Sequence, residues 1–281
     1  MSLANRQLTA AGITPAPNRR RALALGATGL LGGLVAEAAR GLPVESVAAS
    51  APERQPNDVG RKFDADGRPC PFAGNTFVGL VPQQGPRFAL FDALLDVYRE
   101  VPRFDFGPKL TLLPPSSYHV TLFGGVNDDD RNTSRWATPL PHDTPIEQVN
   151  AVYLERMRQA ARGPRHDFEF VLDKPPGHRI EGTLHIPLRP ADTRTAERLR
   201  ALRDELSKLT GIRRPDHDNY RYHVTIGYLH AFLDEREAAS MQRATAEWMR
   251  RIDGLDMRLL IPSFHFCTFR DMFAFEEMLE V

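Results

Sequence analysis

Apolar positions along the chain fall into short runs with two different periods, separated by polar or Gly/Pro-rich stretches. Residues 76–81 (Thr-Phe-Val-Gly-Leu-Val) read as a strand. Phe88, Leu90, Phe91, Leu94, Leu95, Val97, Tyr98 and Val101 recur at helical spacing and predict a helix over 88–101. A short strand at 109–113 is stopped by Pro114-Pro115, and a second at 118–123 is expected to end at Gly124-Gly125. A polar stretch leads to a helix over 145–162, followed by strands at 167–172 and 179–188. A charged amphipathic helix at 194–209 precedes a loop at 216–220 and a strand at 221–229. A further helix at 234–252 and closing strands at 257–261 and 264–269 complete the chain. No dinucleotide-type glycine fingerprint follows any strand. The pattern reads as α+β, with mainly antiparallel sheets and helices packed outside. Strand, helix, strand, strand and helix recur in rough order, which predicts two similar lobes.

Composition changes this picture mainly at the N-terminus. The chain has 281 residues and a formal net charge of zero. Residues 1–48 carry five arginines against Glu37 and Glu45, so residues 49–281 are mildly acidic by three charges. Proteins that grip long nucleic acid through its phosphates show a basic excess. The acidic body therefore argues for a small or end-bound substrate and against long nucleic acid. Asn18-Arg19-Arg20-Arg21, an uncharged Ala/Leu/Gly run over 22–36 and a small-residue stretch over 46–51 follow the plan of an export signal. The paired arginines and weakly hydrophobic run resemble a twin-arginine signal. The run is shorter than the roughly 20 apolar residues of a membrane span, so no stable anchor is expected. Residues 49–69 are polar and lack apolar period, so they are expected to be a linker, with one two-lobed domain over 70–281. Periplasmic or extracellular placement follows from the leader, with cytoplasmic residence as the alternative, and a monomer is expected.

The chemistry lies in a repeat. Ser117-Tyr118-His119-Val120-Thr121-Leu122 and Arg221-Tyr222-His223-Val224-Thr225-Ile226 share the core Tyr-His-Val-Thr followed by an aliphatic residue. Given one copy, a second arises by chance roughly once in ten thousand at ordinary composition. On a strand, side chains alternate faces, so His and Thr point one way while Tyr, Val and the aliphatic residue point the other. Two such strands facing a cleft would set two imidazoles and two hydroxyls around one phosphorus atom. One imidazole could take a proton from the attacking oxygen while the other gives one to the leaving oxygen. The threonine hydroxyls would stabilise the phosphoryl charge, so no metal or other cofactor is implied.

Paired His-x-Thr motifs about a hundred residues apart resemble the two-histidine phosphoesterase superfamily, which includes LigT-like RNA ligases and cyclic phosphodiesterases. The likeness runs over residues 72–281, and Pro114-Pro115-Ser116-Ser117-Tyr118-His119-Val120-Thr121 with Gly74-Asn75-Thr76 upstream looks like a little-characterised branch. The resemblance implies a bilobal, pseudo-twofold fold with an open central cleft, in which His119/Thr121 and His223/Thr225 form two half-sites. It also implies substrates such as 2′,3′-cyclic phosphates, 2′–5′ linkages or ADP-ribose cyclic phosphate. An exported enzyme fits scavenging hydrolysis better than ligation of intracellular RNA.

Ser117 and Arg221 sit two residues before the motif histidines and are expected on the same cleft face, where each could bind substrate. A guanidinium beside His223 would disfavour its protonation, which would make His223 the base and His119 the acid. Phe123 could stack on a base or belong to the core. Tyr118 and Tyr222 are expected to pack inward. Asp216-His217-Asp218 could be a metal cluster for an alternative, metal-dependent phosphoesterase, but reads better as a polar turn. A non-catalytic nucleotide-binding protein on the same fold is the other alternative. His185, with Thr183 on its face, reads as structural, and so do His265 and Cys267. His142, His166, His178 and His230 show no partner pattern. Cys70 and Cys267 form no CxxC pair, and spacing alone leaves a disulfide between them open.

Overall fold

A computed structural model describes residues 54–85, 88–131, 135–136, 138–160, 167–174, 182–255 and 258–281. The leader expected over 1–48, together with His166 and His178, lies outside the described residues. Pro52–Val281 is one compact unit.

Its frame is a set of strands: β1 (Gly74–Leu80), β2 (Leu110–Leu112), β3 (His119–Asn127), β4 (Phe168–Leu172), β5 (Thr183–Pro190), β6 (Tyr222–Leu229), β7 (Leu259–Ile261), β8 (His265–Phe269) and β9 (Glu276–Glu280). All are joined antiparallel in one sheet of order β7-β4-β5-β6-β3-β1-β8-β9, with β2 added to β6. Two sheets were expected. They are fused because the two motif strands pair with each other in the middle, at Val120 and Val224. Nor are the halves of the sheet consecutive stretches of chain. Strands β8 and β9 return from the C-terminus to complete the half that holds β1 and β3, and β2 crosses to β6.

Four helices cover this sheet among the described residues: α1 (Ala89–Glu100), α2 (Ile146–Gln159), α3 (Thr193–Thr210) and α4 (Glu235–Gly254). The first and last pack together, as do the middle pair, and α3 lies against β3, β4 and β5. Helix α4 starts on a reciprocal cap: Asp234 accepts from the Glu237 amide, and the Glu237 carboxylate accepts from the Asp234 amide. Gly211 ends α3 in the left-handed region (φ 77°), where a Cβ would also strike Pro139. Val120, Leu122, Val224 and Ile226 are fully buried, so the inward faces of both motif strands supply the centre of the core. Tyr118 and Tyr222 are buried with them, as expected.

Three expectations need correction. Strand β3 runs on through Gly124 and Gly125 to Asn127. Gly125 is there because β1 comes too close for a side chain: a Cβ would lie 1.8 Å from Asn75 Oδ1, which accepts from the Val126 amide. Residues 54–69, expected to be linker, pack onto the body, with Phe63 buried against Tyr228 and Phe273. One aromatic in a polar run leaves no periodic trace. The acidic strand β9 was not anticipated either; its Glu-Glu-Met-Leu-Glu run lacks clean alternation and sits at the sheet edge, where charge blocks further pairing.

Candidate active site

Central pairing brings both motifs to one place. The chain adds a second device, repeated in each strand. Along β3, Val78 pairs with Thr121 and Phe77 with Phe123, so Leu122 is an extra residue. Along β6, His185 pairs with Thr225 and Leu184 with Gly227, so Ile226 is extra. Each motif therefore ends in a bulge at its aliphatic residue, and the alternation of faces shifts by one beyond it. Both bulge carbonyls are held by groups other than the strand across the bulge. Leu122 accepts from the buried Arg203 guanidinium of α3, and Ile226 accepts from the Leu113 amide at 2.8 Å. Beyond the bulges, Gly124 and Tyr228 face the cleft in place of Phe123 and Gly227.

His119, Thr121, His223 and Thr225 line a single open cavity of about 530 Å³. The imidazoles are set alike: Nδ1–H of His119 donates to the Ser117 carbonyl at 2.7 Å, and Nδ1–H of His223 to the Arg221 carbonyl at 3.1 Å. That bond assigns the tautomer and leaves both Nε2 atoms for the cleft. Burial, against the opposing Ser117 carbonyl and with a smaller contribution from charge on His223, lowers the His119 pKa to about 4. Burial also lowers the His223 pKa, with Lys62 adding repulsion. The Phe275 ring meets His119 edge-on at 4.5 Å.

The two flanking candidates are placed otherwise than expected. Ser117 ends a turn of 3-10 helix, and Arg221 precedes the first residue of β6, so strand alternation does not reach either. The Ser117 hydroxyl donates to the Pro114 carbonyl at 2.7 Å and does not line the cavity. Arg221 is exposed and borders an adjoining cavity. What both contribute is a carbonyl for a histidine. The argument that Arg221 sets the protonation of His223 loses its footing; Lys62 is the cation that acts on that imidazole.

The other candidates resolve into structure. Phe123 is turned by the bulge into the core, edge-on to Phe77. His217 is buried with Nε2 2.8 Å from Asp204, while Asp218 pairs with Arg200 and Arg213. Among the described residues no group of three or more His, Cys, Asp or Glu could hold a metal ion. His230 Nδ1 is 3.0 Å from the Thr111 hydroxyl, and His142 bonds the Arg131 carbonyl. His265 lies 3.7 Å from Glu277. Cys70 and Cys267 are free thiols, and burial pushes Cys267 up to about 12. His185 is closer to the chemistry than expected, its ring centroid 5.1 Å from that of His223.

Four cavity-lining or cavity-adjacent residues had no sequence signal. Lys62 comes from the supposed linker and stands 4.4 Å over the Tyr228 ring. Arg214 enters from the loop after α3, and Phe275 from the turn after β8. Tyr220 interacts with the Thr121 hydroxyl and carries the Arg203 guanidinium 4.2 Å from its ring centre.

With this geometry in hand, similarity to known proteins is informative. Residues 62–177 match the family model described as "2H-phosphodiest: Domain of unknown function (DUF1868)". The match contains the first motif, and the second lies beyond it, across the same cavity. Over residues 62–177, less than half of the chain, the protein is similar to a two-histidine phosphodiesterase domain. Among solved structures, a conserved protein of unknown function from Agrobacterium tumefaciens is 24% identical, with a TM-score of 0.71 over 81% of this chain and 94% of that one. This likeness shows a shared fold. Apo LigT of E. coli is 12% identical, with a TM-score of 0.39 over 75% of this chain and 98% of that one. No curated protein matches the chain.

Proposed function

We propose that the protein is a phosphodiesterase that hydrolyses a cyclic phosphate or 2′–5′ phosphodiester of a nucleotide or RNA end. The observation that carries this reading is the convergence of His119, Thr121, His223 and Thr225 on one cavity, with both Nε2 atoms left for the substrate. A water attacks phosphorus as one imidazole takes its proton; the other imidazole protonates the departing ribose oxygen. Thr121 and Thr225 donate to the non-bridging oxygens, where charge grows. The scheme calls on no metal.

The two histidines must begin in opposite protonation states, and their surroundings favour an order. His119, the more buried imidazole, starts neutral and serves as base. His223 carries the proton once a bound phosphate offsets Lys62, and its charge in turn keeps His119 neutral. This reverses the order expected from Arg221. The test is kinetic. With a cyclic nucleotide, His119→Asn and His223→Asn should each lose about 10²–10⁴-fold in kcat. With a p-nitrophenyl phosphodiester, whose leaving group needs no proton, His223→Asn should recover while His119→Asn stays impaired. Full activity of either variant on the cyclic nucleotide, or loss of wild-type activity to a chelator with recovery on zinc, refutes the mechanism.

A further inference from the structure

The two half-sites are alike as far as the bulge and differ beyond it. At the first cleft-facing position after the bulge, β6 presents Tyr228 and β3 presents Gly124. The β6 end is filled: Tyr228 packs on Phe63 at 5.3 Å between centroids and beneath the Lys62 ammonium. The β3 end is open. Among the described residues, a Cβ at Gly124 would meet within 4 Å only Arg214 Nε, at 3.8 Å, and its backbone has no positive φ that would require glycine. The missing side chain thus leaves a path along the strand, with a guanidinium beside it.

Arg214 is aimed by the protein itself. Its Nη2 donates to the Gly125 carbonyl at 2.6 Å and lies 3.7 Å from Asp130, which leaves Nε over Gly124. Arg135, 4.0 Å from the same Asp130, also lines the cavity. Two guanidinium groups thus approach one carboxylate at this end of the cleft. Gly124 is three residues beyond Thr121, about 10 Å along an extended strand and less across a bulge. That is the reach of one nucleotide from the reacting phosphate. Guanidinium forks are suited to phosphate oxygens.

We infer that Arg214 binds a second phosphate of the substrate, which reaches it over Gly124; the substrate class is a nucleotide with a further phosphate beside the scissile one. This rests on the proposed phosphodiesterase reading and narrows it. The experiment compares kcat/KM for adenosine 2′,3′-cyclic phosphate with and without a 5′-phosphate. Wild type should prefer the 5′-phosphorylated form by about 10- to 100-fold, the range of one charge-assisted contact. In Arg214→Gln that ratio should fall towards one. Gly124→Leu, which obstructs the path while keeping the Arg214 side chain, should lower the ratio too and guards against misfolding of the first variant. A ratio near one in wild type, or an unaltered ratio in both variants, overturns the inference. Calorimetry separates its failure from that of the catalytic reading. Tighter binding of adenosine 2′,5′-bisphosphate than of adenosine 2′-phosphate, lost in Arg214→Gln, supports the second-phosphate site even if nothing is turned over. Equal binding of the two refutes it even if cyclic nucleotides are hydrolysed.

Discussion

Replacing Arg203 with methionine should damage both the fold and the site, because this buried cation holds the β3 bulge. Arg203 is 4% exposed, and burial lowers its pKa. Its Nη1 donates to the Leu122 carbonyl and its Nη2 to the His217 carbonyl at 3.0 Å, with the Tyr220 ring beneath it. Methionine fills much of the stem volume but leaves both carbonyls without that donor, at about 1–3 kcal/mol each. The lost ring contact adds up to about 2 kcal/mol. Relief of guanidinium desolvation offsets several kcal/mol. The net expectation is a loss of about 2–4 kcal/mol in urea unfolding at neutral pH. The second effect is catalytic. Leu122 follows Thr121, and Tyr220 interacts with the Thr121 hydroxyl, so a relaxed bulge misplaces that donor. A fall of about tenfold or more in kcat/KM should follow, equivalent to at least about 1.4 kcal/mol. Arg200→Met is the control, since Arg200 lies on the same helix but forms exposed pairs with Asp204 and Asp218. It should stay within about 0.5 kcal/mol of wild type. A stable Arg203→Met protein refutes the hydrogen-bond accounting, while a destabilised one with wild-type kcat/KM refutes the link to Thr121.

Two further outcomes are expected. His119 titrates near 4 when folded and near 6.5 when unfolded, so between those values the unfolded chain binds more protons and stability falls as pH drops. The loss at pH 4.5 relative to pH 8 should be about 2.5 kcal/mol from this group; urea unfolding of His119→Gln should show a correspondingly flatter dependence, and identical slopes would show that His119 is not held neutral by burial. Residues 1–48 fused to a folded reporter should direct its export, and Arg20→Lys with Arg21→Lys should block it; a reporter retained in the cytoplasm would remove the argument for extracellular scavenging without touching the active site.

The helices and most strands were legible because one face of each is buried and the apolar period records it. The motifs were legible because a strand that must both pack and display chemistry alternates strictly, as Tyr118-His119-Val120-Thr121 does. What alternation cannot encode is its own interruption. The bulges at Leu122 and Ile226 leave no local mark, yet they decide that Phe123 is core and that Gly124 and Tyr228 face the cleft. Extending the alternation backwards failed for a related reason: Ser117 and Arg221 precede the strands and act through their carbonyls. Lys62, Arg214, Tyr220 and Phe275 come from irregular segments brought in by tertiary packing, which no period in the chain announces.

Two nearly identical motifs thus meet at the centre of one sheet without making equivalent half-sites. Their likeness is confined to what the proposed displacement needs twice: an imidazole fixed through Nδ1, a hydroxyl two residues on, and a bulge at the aliphatic residue. Their differences lie in what the reaction needs once. Deeper burial and the Phe275 edge favour a neutral imidazole at His119, while the cation near His223 is one that a bound phosphate can neutralise. Beyond the bulges, the glycine on one side and the tyrosine on the other give the cleft an open end and a closed end. A symmetric pair could hold a phosphate but would not choose which oxygen leaves. On the proposed mechanism the asymmetry beyond the repeat supplies that choice, so substrate specificity should respond to changes at Gly124, Arg214, Tyr228 and Lys62 more than to any change within the motifs.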